Sequence, residues 1–268
     1  MRIGNREFEA KGHTYVMGIL NVTPDSFSDG GRWNGRDRAL KRVEEMVQEG
    51  ADIIDIGGES TRPGYTPISA EEEIARTAPV IQAVKANFDV PVSLDTYKGN
   101  VAEAGIAAGA DLINDIRGLK RDDKIASVIS KSNLPCCLMH NRENADYESF
   151  LEDVAADLRE SLQLAEQAGI DKGKILLDPG VGFAKSYEQN LEVIRHLESL
   201  HRLGCPLLLG CSRKSVVGIT LDLPTDQRLE GTLAATVVGV MKGCMFVRVH
   251  DIKENVRAIK MTEAILYG

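Results

Sequence analysis

Eight short apolar runs recur along the chain: Tyr15 to Leu20, Asp52 to Ile56, Val90 to Leu94, Asp111 to Ile113, Cys136 to Met139, Ile175 to Leu177, Leu207 to Leu209 and Met245 to Val249. Near-continuous apolar runs of this length read as strands covered on both faces. The segments between them carry a helical period instead: Ala39, Leu40, Val43, Met46 and Val47 share one face, as do Phe150, Leu151, Val154, Leu158, Leu162 and Ala165. Ser69-x-x-Glu72 and Ser186-x-x-Gln189 form capping boxes that open helices, and Gly50, Gly109 and Gly169 suit left-handed helix ends. Eight strand-and-helix units close into a barrel more naturally than into an open doubly wound sheet. The latter usually carries G-x-G-x-x-G in its first turn, which is absent after the first run here. The alternation therefore predicts a single (β/α)8 TIM barrel, with residues 1–268 as one domain, since no Ser/Gly/Pro-rich linker interrupts it. Met1 to about Gly12, with a turn at Gly4-Asn5, is expected to form a short hairpin covering the N-terminal end of the barrel.

Composition narrows the partners. A net charge of −8 and a pI near 5.3 argue against nucleic acid, because a duplex binder needs a basic face. The first residues are charged where a secretory signal would be apolar, and no uncharged apolar stretch of about 18 residues occurs. A soluble, cytoplasmic protein without a membrane partner is the expectation. The five cysteines, Cys136, Cys137, Cys205, Cys211 and Cys244, show no C-x-x-C pair and read as reduced, buried small hydrophobes.

In such barrels the reactive groups sit where strands end at the C-terminal face. The runs here end in Asn21, Asp95, Asn114-Asp115, His140 and Asp178, and the last run carries Arg248 and His250. The second run leads into Gly57 to Gly64 and the seventh into Gly210 to Ser215. Asp95, Asn114 and Asp178 offer acceptors and an amide, which suit a planar heterocycle with adjacent N–H donors. Arg62, Arg213, Lys214, Arg248 and His250 form the local cationic group that a diphosphate requires in an acidic protein, while Asn21 with a loop Asp could hold Mg²⁺ through oxygen.

These strand ends lie within longer motifs. Met17 to Gly31 (MGILNVTPDSFSDGG) and Gly50 to Gly64 (GADIIDIGGESTRPG) resemble the first two signatures of the dihydropteroate synthases. Similarity to that family continues through Ser93 to Lys98, Ile113 to Ile116, Leu138 to His140, Leu177 to Phe183, Ser212 to Ser215 and Phe246 to Asp251. All occur in order, from about Tyr15 to Ala264. Arg117 matches no signature and receives no role.

The resemblance implies condensation of 6-hydroxymethyl-7,8-dihydropterin diphosphate with p-aminobenzoate, giving 7,8-dihydropteroate and pyrophosphate. It assigns Asp95, Asn114, Asp178 and Lys214 to the polar edges of the pterin and Met139 and Phe183 to its faces. Arg248 and His250 would hold the diphosphate, with Mg²⁺ on Asn21. Phe27, Asp29, Thr61, Arg62 and Pro63 fall on two loops expected to close over the pterin, Asp29 reaching the metal or the developing cation. Ser215, at a helix start, suits the carboxylate of p-aminobenzoate. Asp29, Arg62, Lys214, Arg248 and His250 form the expected catalytic set, whereas His140 reads as a histidine satisfied by a neighbouring group. A homodimer formed through late helices is also implied. The rivals are a pterin-binding methyltransferase of the same superfamily, which has no reason to keep Thr61-Arg62-Pro63 and Ser212-Arg213-Lys214, and a non-catalytic relative, against which Asn21, Asp29, Arg62 and Lys214 together argue.

Overall fold

The structure, a computed structural model, describes residues 1–9, 12–23, 32–60 and 66–268, and of 32–34 the backbone alone. Among the described residues a two-stranded hairpin, β1 (Arg2–Ile3) and β2 (Arg6–Glu7), precedes an eight-stranded sheet. That sheet comprises β3 (Tyr15–Asn21), β4 (Ile53–Gly57), β5 (Val92–Asp95), β6 (Leu112–Asp115), β7 (Cys136–Met139), β8 (Ile175–Asp178), β9 (Leu208–Leu209) and β10 (Phe246–Val249). Its neighbours follow the order β8-β7-β6-β5-β4-β3-β10-β9, and a parallel bridge between Leu177 and Leu207 brings the two edges together. Leu177 N donates to Pro206 O across that seam at 2.9 Å. The expected barrel is present. The polar residues Asn21, Asp95 and Asp178 are the last residues of their strands rather than the first beyond them.

Helices fill the crossovers: α1 (Arg32–Glu49), α2 (Ala70–Asn87), α3 (Gly99–Ala107), α4 (Asp123–Ser132), α5 (Phe150–Gln167), α6 (Tyr187–Arg195), α7 (Ser215–Leu221), α8 (Leu229–Met241) and α9 (Ile252–Tyr267). Ser186 and Gln189 complete the reciprocal capping box on α6, while Ser69 Oγ accepts from Glu72 N on α2. Gly50, Gly109 and Gly169 take the expected positive φ after α1, α3 and α5.

A strand sends alternate side chains to opposite faces, and that parity builds two cores. Val16, Leu20, Ile54, Ile56, Leu94, Ile113, Leu138, Leu177, Leu209 and Val247 face the helices in the larger cluster. Met17, Ile53, Leu112, Cys137, Leu176, Leu208 and Phe246 point inward at the N-terminal end of the barrel. The hairpin caps this second cluster with Ile3 and Phe8, and the Phe8 ring stands 4.9 Å from Tyr15 and 5.3 Å from Phe246 between centroids. Two residues further along the same strands, the inward positions become Asp55, Asn114, Met139, Asp178, Gly210 and Arg248. The interior is thus apolar at its closed end and polar at its mouth.

Because Phe8 fills the closed end, Phe8→Ala should lower unfolding stability by about 3–4 kcal/mol in urea titrations. The mouth of the barrel should keep its ligand affinity, and a loss below about 1 kcal/mol would contradict the plug.

Candidate active site

Arg248, on β10, reaches across the barrel axis. Its Nε donates to Asp55 Oδ2 at 2.6 Å and its Nη2 to Asp95 Oδ2 at 2.6 Å. Asp55 is further held by Ser93 Oγ at 2.5 Å and by Asn114 Nδ2 at 3.4 Å. Burial opposes the guanidinium's charge, yet Asp55 and Asp95 together hold Arg248 above its usual range. Burial pushes the Asp95 carboxyl upward, Arg248 opposes this, and Asp55 adds repulsion. Arg248 lies among the acceptors, with two of its nitrogens already engaged by carboxylates.

A second group converges from β8 and the segment after β9. Asp178 Oδ1 accepts from Gly180 N at 2.7 Å. Lys214 donates through Nζ to Val181 O, and its ammonium lies 4.9 Å from the centre of the Phe183 ring. A Cβ built at Gly210 would stand 3.4 Å from Asp178 Oδ2 and 3.7 Å from Lys214 Nζ, so both groups meet over this bare backbone. Burial raises Asp178 and lowers Lys214, and each opposes the other's shift through its charge. Met139 ends β7 beside Asp178. Gly180 cannot be replaced here: with φ of 69° and a hypothetical Cβ only 1.9 Å from His140 O, a side chain has no room.

At the mouth, His250 Nδ1 and Ser212 Oγ are 2.9 Å apart, and His250 N donates to the same hydroxyl at 3.2 Å. Lys214 is the N-cap of α7, which places Ser215 at the helix start as expected. Phe27, Asp29, Thr61, Arg62 and Pro63 lie outside the described residues. The second loop is nevertheless tied at its two ends: Ile68 N donates to Glu59 Oε2 at 2.9 Å, and Lys98 Nζ bridges Glu59 at 2.6 Å and Glu73 at 2.7 Å.

Asn21 tests the magnesium expectation. Its Oδ1 lies 3.8 Å from a Cβ built at Gly57, and Asp95 Oδ2 lies 3.7 Å from the same point. Mg²⁺ takes hard oxygen donors and commonly keeps water and substrate phosphates, with only one or two protein ligands. A partly exposed amide oxygen fits that demand. Among the described residues, no cluster of three or more His, Cys, Asp or Glu could form an all-protein cage.

Three functional neighbours went unread in the sequence. Asp55 is hidden inside an apolar run, although counting two from inward-facing Ile53 would have found it. Asp157 and Lys185 carry no local signal; they flank His140, whose Nε2 lies 2.9 Å from Asp157 Oδ2 and whose Nδ1 lies 2.7 Å from Lys185 Nζ. Burial lowers Lys185 to about 7; when it is an ammonium it can only donate, so Nδ1 then accepts and Nε2–H points to Asp157. Arg142 Nε donates to Asp157 Oδ2 as well, at 2.5 Å. The reading of His140 as a satisfied histidine holds. The five cysteines are buried and free; burial pushes the Cys211 thiol up to about 11.

A barrel whose mouth combines buried carboxylates, an amide and two enclosed cations defines a binder of flat, N–H-rich heterocycles. The family model described as pterin binding enzyme matches residues 17–250. The dihydropteroate synthase of Clostridium beijerinckii is 58% identical over 267 residues, covering 99% of each chain. A crystal structure of the Clostridium difficile dihydropteroate synthase in the presence of pteroic acid superposes with a TM-score of 0.95 at 48% identity, covering 98% of this chain and all of that one. The Xanthomonas albilineans dihydropteroate synthase with 4-aminobenzoic acid gives 0.91 at 41% identity, covering 96% and 94%. The chain belongs to the dihydropteroate synthase family.

Burial lowers His140 from 6.5 to about 4, with the Asp157 bond opposing and the Lys185 charge adding to the shift. The unfolded chain therefore binds this proton first as pH falls. Stability should drop by about 3 kcal/mol between pH 6.5 and pH 4, on top of other groups. Urea unfolding across that range should show a shallower slope for His140→Gln; an identical slope would contradict the assignment.

Proposed function

We propose that this chain, acting as one domain over residues 1–268, condenses 6-hydroxymethyl-7,8-dihydropterin diphosphate with p-aminobenzoate and releases pyrophosphate. The reading rests on one observation above all: two buried acid groups, Asp95 with Asp55 and Asp178, face a common mouth with Arg248 and Lys214 between them. Carboxylates in that setting take N–H donors, and a pterin carries them side by side along one edge. Asp95, Asn114, Asp178 and Lys214 hold the ring edges in this reading, while Met139 and Phe183 cover its faces.

The reaction breaks the bond between the pterin methylene and its diphosphate and forms a carbon–nitrogen bond to the arylamine, which then sheds a proton to water. Loss of the diphosphate leaves positive charge on the methylene, and fixed carboxylates nearby stabilise it. An arylamine is neutral near pH 7, so no general base is needed before attack. Arg248 and His250 orient the diphosphate, with Asn21 as the protein ligand of Mg²⁺. Bound there, the ion would neutralise charge on the leaving group. Ser215, at the start of α7, faces the amine's carboxylate, while Phe27, Asp29, Thr61, Arg62 and Pro63 close over the site and exclude water.

A homodimer in the cytoplasm completes the proposal. Met241 on α8 and Met261, Ile265, Leu266 and Tyr267 on α9 are exposed apolar side chains on helices packed together, as an association surface requires. No described helix is long and apolar enough to cross a membrane.

Incubation with dihydropterin diphosphate, Mg²⁺ and p-aminobenzoate should yield a product of dihydropteroate mass together with pyrophosphate; absence of both overturns the proposal. Asp178→Ala and Lys214→Ala should each weaken calorimetric binding of the pterin diphosphate by about 2 kcal/mol or more, roughly thirtyfold. Unchanged affinity would remove these residues from the pocket.

A further inference from the structure

The loop after β8 has an unusual backbone. Gly180, Gly182 and Ala184 all have positive φ, at 69°, 85° and 44°. Glycine adopts this freely, but a left-handed alanine costs roughly 1–2 kcal/mol and persists only where its surroundings enforce it. Two side chains do so. Tyr147 donates its hydroxyl to Ala184 O at 2.8 Å. Lys185 Nζ donates to Gly180 O at 3.0 Å, to Phe183 O at 3.1 Å and to His140 Nδ1 at 2.7 Å. An ammonium has three protons, and here each has an acceptor.

The loop's other contacts belong to the pocket. Gly180 N holds Asp178 Oδ1, Val181 O receives Lys214 Nζ, and the Phe183 ring lies beside the same ammonium. One short segment therefore carries the grips on both Asp178 and Lys214, and Lys185 fastens it from behind. The fastening is itself anchored, because His140 is held by Asp157, which Arg142 grips in turn from the start of the following loop.

We propose that Lys185 is a positioning residue for pterin binding, its ammonium drawing the Gly180 and Phe183 carbonyls together so that Asp178 and Lys214 stand at the spacing the ring requires. Lys185 acts through the loop and does not touch substrate. This rests on the pterin reading above, and it predicts an effect confined to one of the two substrates. A merely structural lysine would instead lower stability and spread its effect over both.

The test compares wild type, Lys185→Met and Lys185→Ala in steady state with both substrates. The KM for the pterin diphosphate should rise about tenfold in each variant, while that for p-aminobenzoate stays within about twofold. Added n-propylammonium, which replaces the missing stem and charge, should restore part of the pterin affinity to Lys185→Ala, and n-propanol should not. An unchanged pterin KM, or equal losses on both substrates without amine rescue, would overturn the inference. Should both lysine variants fail to fold, Tyr147→Phe removes only the bond to the Ala184 carbonyl. It should raise the pterin KM about threefold and leave the other KM alone; no change there also overturns it. An inactive wild type would sink the proposed function instead, whereas an active wild type with a normal Lys185→Met sinks this inference alone.

Discussion

Arg248 is a cation placed inside a barrel, and the mouth is organised around keeping it there. A buried ion costs several kcal/mol unless opposite charges and hydrogen bonds surround it. Asp55 and Asp95 supply both, from adjacent strands β4 and β5, and Asn114 and Ser93 support Asp55 from β6 and β5. One guanidinium between two carboxylates leaves the cluster biased toward negative charge. That bias attracts N–H donors from a ligand and favours positive charge on carbon. The same bonds that stabilise the protein therefore set the polarity of the reaction space.

Strand parity turns this into an architecture. The inward residues that cluster at the closed end are apolar, and on β4, β6, β8 and β10 the next inward position is polar, while β9 leads to the bare Gly210. Burying Phe8 and Ile3 against the first layer lets the strands converge without filling the second. Gly57 and Gly210 leave open backbone where Asp95, Asn21, Asp178 and Lys214 approach. The pocket exists because side chains are absent at these two points as much as because they are present at the others.

Much of this was legible in the chain. The alternation of runs fixed the barrel, and the residues closing those runs marked Asn21, Asp95, Asn114 and Asp178, because a polar residue ending a buried strand must face something that satisfies it. The motif match extended that reading to the family. The motif marks Arg248 as a cation for the diphosphate but not its bonds to Asp55 and Asp95, because those partners lie 193 and 153 residues away. Lys185 is illegible in the sequence for a related reason. Nothing in its neighbourhood separates it from a solvent lysine, and only the folded loop brings three acceptors to it. Strand parity sends Asn114 inward, as the motif implies, and turns Asp115 to the backbone of Arg117 and Leu119.

The claim that the Arg248 cluster organises the mouth is open to a double-mutant cycle. Unfolding free energies would be measured in urea for wild type, Asp55→Asn, Arg248→Met and the double variant. Each single change strands a buried charge, so the account predicts that the double variant is more stable than the sum of the singles implies, by about 2–3 kcal/mol. Additivity within about 0.5 kcal/mol would mean that the two charges do not depend on each other, and the account would fail.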